Sequence, residues 1–350
     1  MYGILVLFGV VTLIFFLFNV LPGDPARMML GQRADISSVE AINRDLGRDK
    51  PLFVQYLGFL NDVSPVSFHT LKEPNSAFYF SLSKYPSAIH LLNIGKSTVV
   101  LKNPYLRRSY QSKRPVSEIL SEAFIPTLVL ATVAMIAATI LGLILGIFSA
   151  LNKDGWFDRI SLIVSILGMS LPSFFAAILI AWFFAYVLAD YTGLSMFGSL
   201  YTVDDFGRGE YIDLKNLILP ALTLAIRPLA IITELTRSSM LDVMSQDYIR
   251  TARAKGLSLY RIITRHALKN ALNPVVTAVS GWFASLMAGA VFVEYIFDWK
   301  GVGVVIVDGL EKYDFPVIMG AVLFISVLLI IINIFADLIY GILDPRIRYT

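Results

Sequence analysis

The sequence predicts an all-α membrane protein with six transmembrane helices and a small mixed cap between the first two. Two observations predict this fold class. Hydrophobic residues make up 56% of the 350 residues and charged residues only 16%, whereas soluble domains carry about 25% charged residues. The apolar residues are also concentrated in long runs, and six runs reach the roughly 20 residues that cross a bilayer.

The six apolar runs define the predicted transmembrane helices. In chain order they are Tyr2–Leu21, Ala123–Leu151, Ile160–Ala189, Asn216–Thr236, Ala271–Val293 and Phe315–Ala336. The first run lacks the basic residues and the cleavage site of a signal peptide, so we expect it to be retained as a span. The third run is longer than a bilayer core requires, so tilt, a kink at Pro172 or an end buried in protein must take up the excess.

The spans divide the chain into three predicted parts. Residues 1–21 form the first transmembrane helix, residues 22–122 form an external segment with its cap, and residues 123–350 form a five-helix core. The core includes a cytoplasmic loop at 237–270.

The external segment is predicted to begin with helices and to end in short strands. Ser37 and Ser38 are suited to cap a helix that runs to Leu46, and Pro51–Leu60 has apolar residues at helical spacing. Between residues 61 and 115, prolines and scattered aromatic residues interrupt this spacing. Such composition predicts short strands and loops packed into a small cap.

Lys and Arg residues orient the predicted spans. The loop at 237–270 holds seven of them, whereas the loops after the third and fifth spans are mainly acidic. Because basic short loops stay in the cytoplasm, both termini are predicted to lie there. The segment 22–122 also carries basic residues, but long segments are translocated regardless of charge.

One stretch of the loop at 237–270 has a composition unlike a loop. Tyr248–Lys255 favours a helix, Gly256 interrupts it, and Leu257–Leu272 favours a second helix with apolar and basic residues at helical spacing. The sequence therefore predicts two helices joined at a glycine and projecting from the membrane. The alternative is a basic segment that touches anionic lipid.

This stretch resembles the coupling loop of ABC-importer permeases, which has the pattern Glu-Ala-Ala, three residues, Gly and then a helix. Arg250-Thr251-Ala252 occupy the first positions and Gly256 the glycine position. The Arg and Thr depart from the general pattern but match the dipeptide/oligopeptide (peptide/nickel) branch. Tyr248–Leu257 and His266–Ala271 are similar to that branch in residue identity and order.

Two further motifs carry the same resemblance. Asn19–Pro25 resembles the end of the first span in that branch, and Asp344-Pro345-Arg346 resembles its tail. The resemblance covers nearly the whole chain outside roughly residues 61–92. It implies the type I ABC importer permease fold in a bacterial cytoplasmic (inner) membrane.

The resemblance also implies how the coupling loop works. The helix pair would sit in a groove of a separate ATPase subunit, where Gly256 provides a tight turn and Ala252 permits close approach. The implied coupling residues are Arg250, Thr251, Ala252, Arg253, Lys255, Gly256, Leu257, Ser258 and Arg261. ATP and Mg²⁺ would be used by the ATPase subunits, and no cofactor would be bound by this chain.

The partners and the substrate follow from the same resemblance. We expect a second, homologous permease, two ATPase subunits, a soluble or lipid-anchored binding protein, and membrane lipid. A heterodimer of permeases is expected, and a homodimer is the alternative. Short peptides are the expected substrate, and a nickel chelate, an oligosaccharide or a peptide antibiotic are the alternatives. The net charge of +3 gives no indication of nucleic acid.

Four polar residues inside the predicted spans or directly after them are candidates for the path or for contacts between subunits. Arg227 and Glu234 are seven residues apart and lie on one helix face. Because charges are costly in lipid, they should face the bundle interior or water, which leaves the path and the partner permease as alternatives. Asn333 and Asp337 are spaced to form hydrogen bonds between helices.

Other function classes are disfavoured by what the spans lack. No predicted span contains a histidine, and no two carboxylates share a face, which argues against an intramembrane enzyme. An ion-coupled carrier would need relay carboxylates or repeated broken helices, and neither is evident. The chain has no cysteine, and its three histidines lack metal-ligand spacing.

A short motif in the external segment resembles the end of a phosphate-binding loop. Ile94–Thr98 contains Gly95-Lys96-Ser97, but the full pattern needs a glycine five residues before Gly95, where His90 stands. The sequence therefore predicts no ATPase site in this chain and a transport subunit rather than an enzyme.

Overall fold

The computed structural model describes residues 2–20, 50–72, 76, 78–82, 84–204, 207 and 209–343. The helix predicted from Ser37 to Leu46 lies outside the described residues, as do the tail motif 344–346 and most of the motif 19–25.

Helices dominate the described residues. They are α1 (Tyr2–Val20), α2 (Leu52–Val63), α3 (Val116–Leu151), α4 (Trp156–Ser170), α5 (Ser173–Trp182), α6 (Ala189–Thr192), α7 (Lys215–Met244), α8 (Asp247–Ala254), α9 (Leu259–Ile262), α10 (Leu268–Ala271), α11 (Asn273–Gly289), α12 (Val291–Ile296), α13 (Val302–Glu311) and α14 (Phe315–Leu343). Two π-helical turns continue helices: Phe183–Val187 extends α5, and Ile263–Ala267 joins α9 to α10.

Short strands form two antiparallel sheets. They are β1 (Val66–Thr70), β2 (Ile89–Ile94), β3 (Ser97–Leu101), β4 (Tyr201–Val203) and β5 (Glu210–Ile212). The first sheet has the order β1-β3-β2, and the second pairs β4 with β5.

The chain divides into two compact units. The first comprises Met1–Glu122 and Val305–Val327, and the second comprises Ala123–Val304 and Leu328–Thr350.

The first unit contains the helix and the strands predicted for the external segment. The predicted helix at Pro51–Leu60 is α2, and its Phe59 packs with Phe15 of α1 and Met319 of α14 in a buried apolar cluster. The strands and loops predicted between residues 61 and 115 include the three-stranded sheet. The inner face of that sheet buries Ser67 and His69.

The motif that resembles a phosphate-binding loop lies in this sheet. Gly95 and Lys96 form the turn between β2 and β3, where Gly95 adopts a positive φ of 61°. A phosphate-binding loop connects a strand to a helix, so its backbone amides can surround the phosphates. Here the same residues connect two antiparallel strands.

The second unit is built around α7. This helix packs against α4, α5, α10, α11 and α12. Two glycines of α3 provide a close contact: a Cβ at Gly142 would lie 2.8 Å from Ile232, and one at Gly146 would lie 2.7 Å from the carbonyl oxygen of Thr233. Small residues at a helix crossing let the two backbones approach, so these glycines fix α3 on α7.

The predicted spans match the helices to different degrees. Among the described residues, three helices are long and apolar enough to cross a membrane: Val116–Leu151, Lys215–Met244 and Phe315–Ala336. They correspond to the second, fourth and sixth predicted spans. The fourth extends beyond Thr236 to Met244, so the first eight residues of the predicted loop at 237–270 are helical instead.

The third predicted span is broken at the proline. The helices Trp156–Ser170 and Ser173–Val187 meet at an angle of 111° and count as a fourth span if they are taken together. Pro172 has no N–H to donate, and the residue before a proline is driven out of the helical region. Leu171 accordingly has an extended conformation with ψ of 128°.

The first and fifth predicted spans do not count as full-length crossings among the described residues. The first corresponds to α1 (Tyr2–Val20), of which Leu5–Phe18 is counted as a shorter apolar helix. The fifth is divided into the 17-residue helix α11 and the 6-residue helix α12, with Ala290 between them. The count of six spans therefore stays a prediction.

Candidate functional site

The stretch predicted to dock a partner forms two helices that meet at a glycine. Asp247–Ala254 is the first helix, and the second begins at Leu259. Gly256 between them has a φ of 74°, a backbone conformation that residues other than glycine rarely adopt. Its N–H donates to the carbonyl oxygen of Arg253 at 2.9 Å. The predicted break at Gly256 is confirmed, and we call Asp247–Ala271 the elbow.

The elbow has a buried apolar side that packs on its own chain. Ile249 and Ile262, one from each helix, are almost completely buried. They share a cluster with Ala150 at the end of α3 and Met240 in the last turns of α7. The elbow therefore packs against the ends of two long helices.

Ala252 belongs to this buried side. It is only 6% exposed and packs in the same cluster as Ile249. Its small side chain therefore permits close approach between α8 and its own chain, whereas the resemblance assigned that close approach to a partner surface.

The opposite side of the elbow is polar and exposed. The exposed members of the predicted coupling set are Arg250, Thr251, Arg253, Lys255, Gly256, Ser258 and Arg261, and Leu257 is half-buried. Four of these residues are cationic. Arg250 pairs with Asp247 at 3.3 Å, but both side chains are largely exposed, so the pair neutralises little of the charge. This side is a basic surface that an acidic partner surface would complement.

A hydrogen bond joins the two halves of the elbow. The Asn270 side-chain amide donates to the hydroxyl of Tyr248 at 2.9 Å, across 22 residues of sequence. Together with the shared apolar cluster, this bond holds the two helices in one arrangement.

Two charged residues of the predicted site lie on the exposed face of α7. Arg227 and Glu234 are both exposed, whereas Ala230 and Thr233 beside them are buried. Both charges lie on one helix and are exposed, and their role at the path or at a partner stays a prediction. Asn333 on α14 is exposed as well, and the side chain of Asp337 lies outside the described residues. The predicted hydrogen bonding between helices at these two positions stays a prediction.

Two buried polar clusters were not part of the predicted site. Asp158 of α4 pairs with Arg237 of α7, and Glu294 of α12 accepts a hydrogen bond from Thr127 of α3. A carboxylate at the edge of an apolar run was the available signal for Asp158. The sequence alone could not pair it with an arginine 79 residues away.

The described residues offer no metal site. They contain no group of three or more His, Cys, Asp or Glu side chains positioned to hold an ion. The candidate site consists of a basic elbow, its apolar support and an exposed charged face on α7.

Comparisons with known proteins identify the chain as a helical transport subunit. The family described as "Binding-protein-dependent transport system inner membrane component" matches residues 142–349. The corresponding N-terminal family, "Binding-prot-dependent transport system membrane comp, N-term", matches residues 1–69. Because the first match covers more than half of the chain, the chain belongs to the binding-protein-dependent transport system inner membrane component family.

Two relatives are similar over nearly the whole chain. The glutathione transport system permease protein GsiC of Pectobacterium atrosepticum is 35% identical over 340 residues, which are 97% of this chain and 94% of that protein. The dipeptide transport system permease protein DppB of Alkalihalophilus pseudofirmus is 33% identical over 360 residues, with 98% and 96% covered.

A solved structure supports the fold. One chain of the inward-facing MetNI methionine ABC transporter superposes with a TM-score of 0.53 at 15% identity, covering 65% of this chain and 97% of that one. The chain therefore has the type I ABC importer permease fold. It is a multi-pass inner-membrane permease subunit of a binding-protein-dependent ABC importer, and it is a transport subunit rather than an enzyme. Members of this family work with ATPase and binding-protein partners.

Proposed function

We propose that this permease forms half of the translocation path for short peptides delivered by a binding protein. The observation that carries the proposal is the similarity of the whole chain to a dipeptide permease and a glutathione permease. Both named substrates are small peptides with free carboxylate and amino groups.

The elbow is the proposed contact with an ATPase subunit. Its exposed side carries Arg250, Arg253, Lys255 and Arg261, and its buried side is fixed to the ends of α3 and α7. ATP and Mg²⁺ would be bound by two separate ATPase subunits. The position of Gly95 and Lys96 in a β-turn supports this division of labour, because that turn lacks the helix that a phosphate-binding loop requires.

The proposed topology has six spans with both termini in the cytoplasm. The seven basic residues at 237–270 support a cytoplasmic elbow. Segment 22–122, with its cap, would then lie on the outer side. The broken helix pair at Pro172 and the divided helix at Ala290 would each supply one of the six crossings.

A second, homologous permease would complete the path. The exposed Arg227 and Glu234 would be costly against lipid, so their face of α7 is proposed to meet the path or that partner. Asn333 and Asp337 are proposed for the same kind of contact from α14. A partner with a different sequence is proposed because the family resemblance implies a heterodimer.

Reconstitution tests the proposal. The permease would be assembled with the second permease, two ATPase subunits and the binding protein in proteoliposomes, and uptake of labelled dipeptides, tripeptides and glutathione would be measured. We expect accumulation that requires both ATP and the binding protein. Accumulation driven by a proton or sodium gradient without ATP would contradict an ATP-driven importer. Uptake of a nickel chelate or an oligosaccharide in place of peptides would contradict the substrate class.

A further inference from the structure

Asp158 is a buried carboxylate that receives hydrogen bonds from three other elements. It lies in the first turn of α4 and is 1% exposed. Arg237 of α7 donates through Nε at 2.5 Å and through Nη2 at 2.6 Å. The hydroxyl of Ser149 on α3 and the backbone N–H of Asp154 also donate to it. One side chain thus joins α4 to both α3 and α7.

The chemistry of this pair indicates positioning rather than simple stabilisation. Removing two charges from water is costly, and a buried ion pair is often no more stabilising than an apolar pair of the same size. A two-pronged arginine–carboxylate contact instead fixes direction and register, because both hydrogen bonds must be satisfied together.

A second contact along α4 keeps the two helices in register. A Cβ at Gly168 would lie 3.1 Å from Ile226 and 3.5 Å from Ala230 of α7. Gly168 is ten residues after Asp158, so the two contacts are about 15 Å apart along α4. Because Ile226 precedes Arg237 in sequence, the two helices run antiparallel, and α4 is held at both ends.

The ion pair also adjoins the apolar cluster that supports the elbow. Ser149 is followed by Ala150, and Arg237 lies one helical turn before Met240. Both Ala150 and Met240 pack in the cluster that holds Ile249 of the elbow. The helix ends that carry the elbow are therefore the same ends that Asp158 ties together.

We propose that Asp158 and Arg237 are positioning residues that make α4 move together with α3 and α7 when the elbow moves. The displacement would then reach the 111° break that follows α4 at Leu171 and Pro172. This inference rests on the proposed coupling role of the elbow.

Removing both charges tests the inference while preserving assembly. Asp158→Asn or Arg237→Gln alone leaves a buried partner without its countercharge and reduces the amount of assembled transporter. We expect the double variant, which removes both charges, to assemble at the native level. In proteoliposomes with the complete transporter, we expect the double variant to lose about tenfold in peptide uptake per ATP hydrolysed. Arg159→Gln, an exposed neighbour on α4, should keep the native ratio.

A distance measurement provides a readout that stability alone does not change. The chain has no native cysteine, so Ile160→Cys on α4 and Thr264→Cys in the elbow can be spin-labelled selectively once the other subunits are cysteine-free. Both positions are exposed. We expect one narrow distance with and without ATP in the native background, and a broadened or shifted distance in the double variant.

Two results would overturn the inference, and a third would instead remove its basis. A native uptake-to-ATP ratio in the double variant would show that the ion pair is only structural. A label distance that changes on ATP binding in the native background would show that α4 and the elbow do not move together. If Gly256→Pro also left the ratio unchanged, the coupling role of the elbow itself would fail.

Discussion

Thr127 donates its hydroxyl hydrogen to Oε1 of Glu294 at 2.7 Å across 167 residues of sequence, and both side chains are buried. The same hydroxyl accepts the N–H of Val302 at 2.9 Å, and Oε2 of Glu294 accepts the N–H of Gly303 at 2.7 Å. These two N–H groups begin α13 and have no acceptor within their own helix. Side chains from α3 and α12 therefore cap the start of α13.

Replacing Thr127 by Val should destabilise the protein because it removes a hydrogen-bond acceptor at the start of α13. The change leaves the Val302 N–H buried without an acceptor, which costs about 1–3 kcal/mol. We expect a lower thermal unfolding midpoint in detergent, monitored by tryptophan fluorescence. Glu234→Gln on the exposed face of α7 should change stability by less than about 0.5 kcal/mol. An equal loss in the two variants would contradict the capping role.

Gly256 should tolerate asparagine far better than proline. Asparagine adopts positive φ at modest cost, whereas proline fixes φ near −65° and has no N–H to donate. The native φ is 74°, and the native N–H donates to Arg253. In the reconstituted transporter, Gly256→Pro should leave ATP hydrolysis running while peptide uptake is lost, and Gly256→Asn should retain most uptake. Equal uptake by the two variants would show that the turn geometry is irrelevant.

Ala252 and Ala254 form a matched pair for testing the buried side of the elbow. Ala252 is buried against Ile249 and Met240, whereas Ala254 is exposed. Ala252→Leu inserts a larger side chain into a packed cluster and should cost about 1–3 kcal/mol. We expect it to raise the hydrogen exchange of α8 amides and to lower uptake per ATP, while Ala254→Leu leaves exchange unchanged. The opposite order would place the docking surface on the Ala252 side.

Gly146 should be intolerant of even a methyl group. A Cβ there would lie 2.5 Å from the Cβ of Thr236 and 2.7 Å from the carbonyl oxygen of Thr233, so α3 and α7 would have to separate. At Gly9 of α1 a Cβ meets nothing within 4 Å. We expect Gly146→Ala to lower the unfolding midpoint in detergent clearly and Gly9→Ala to leave it unchanged or raise it slightly. Tolerance at both glycines would argue against a close crossing.

The stability of the external cap, which contains β1 to β3, should rise with pH above neutrality. Burial lowers the pKa of Lys102 from 10.5 to about 8, although its amine donates to the carbonyl oxygen of Asp62 at 2.5 Å. Between those pKa values the folded chain binds fewer protons than the unfolded chain, so stability increases with pH there. Above about pH 10 the trend reverses, because burial and Asp62 raise the pKa of Tyr85.

Hydrogen exchange in the full-length protein measures this dependence. Protection factors of the β1 and β3 amides, corrected for intrinsic exchange, should increase from pH 8 to pH 10. In Lys102→Met the increase should disappear, because the titrating amine is gone. A decrease with pH in the native protein would contradict the assigned direction.

Local sequence patterns were sufficient for the elbow but not for its packing. Gly256 interrupts a helical pattern, and a glycine at that position predicts a break without further information. The pattern could not say that Ala252 faces its own chain, because a small residue suits a close contact with either surface. That distinction depends on Ala150 and Met240, which come from other helices.

Contacts between residues far apart in sequence account for the structural features that the sequence did not predict. Pro172 predicts a lost hydrogen bond, but the 111° angle depends on what packs around the break. The bonds from Arg237 to Asp158 and from Thr127 to Glu294 join residues that no periodicity connects. Charged residues are rarely buried unless they are paired. Sequence reasoning alone therefore assigns such residues to helix ends or loops.

The outer strand of the cap has a practical consequence. β2 lies at the edge of its sheet, all six of its residues are exposed, and four of them are isoleucine or leucine. An uncharged, apolar edge of this kind is a template on which further strands assemble. We therefore expect this subunit to aggregate when it is overexpressed alone. Co-expression with its partner subunits should give purer material.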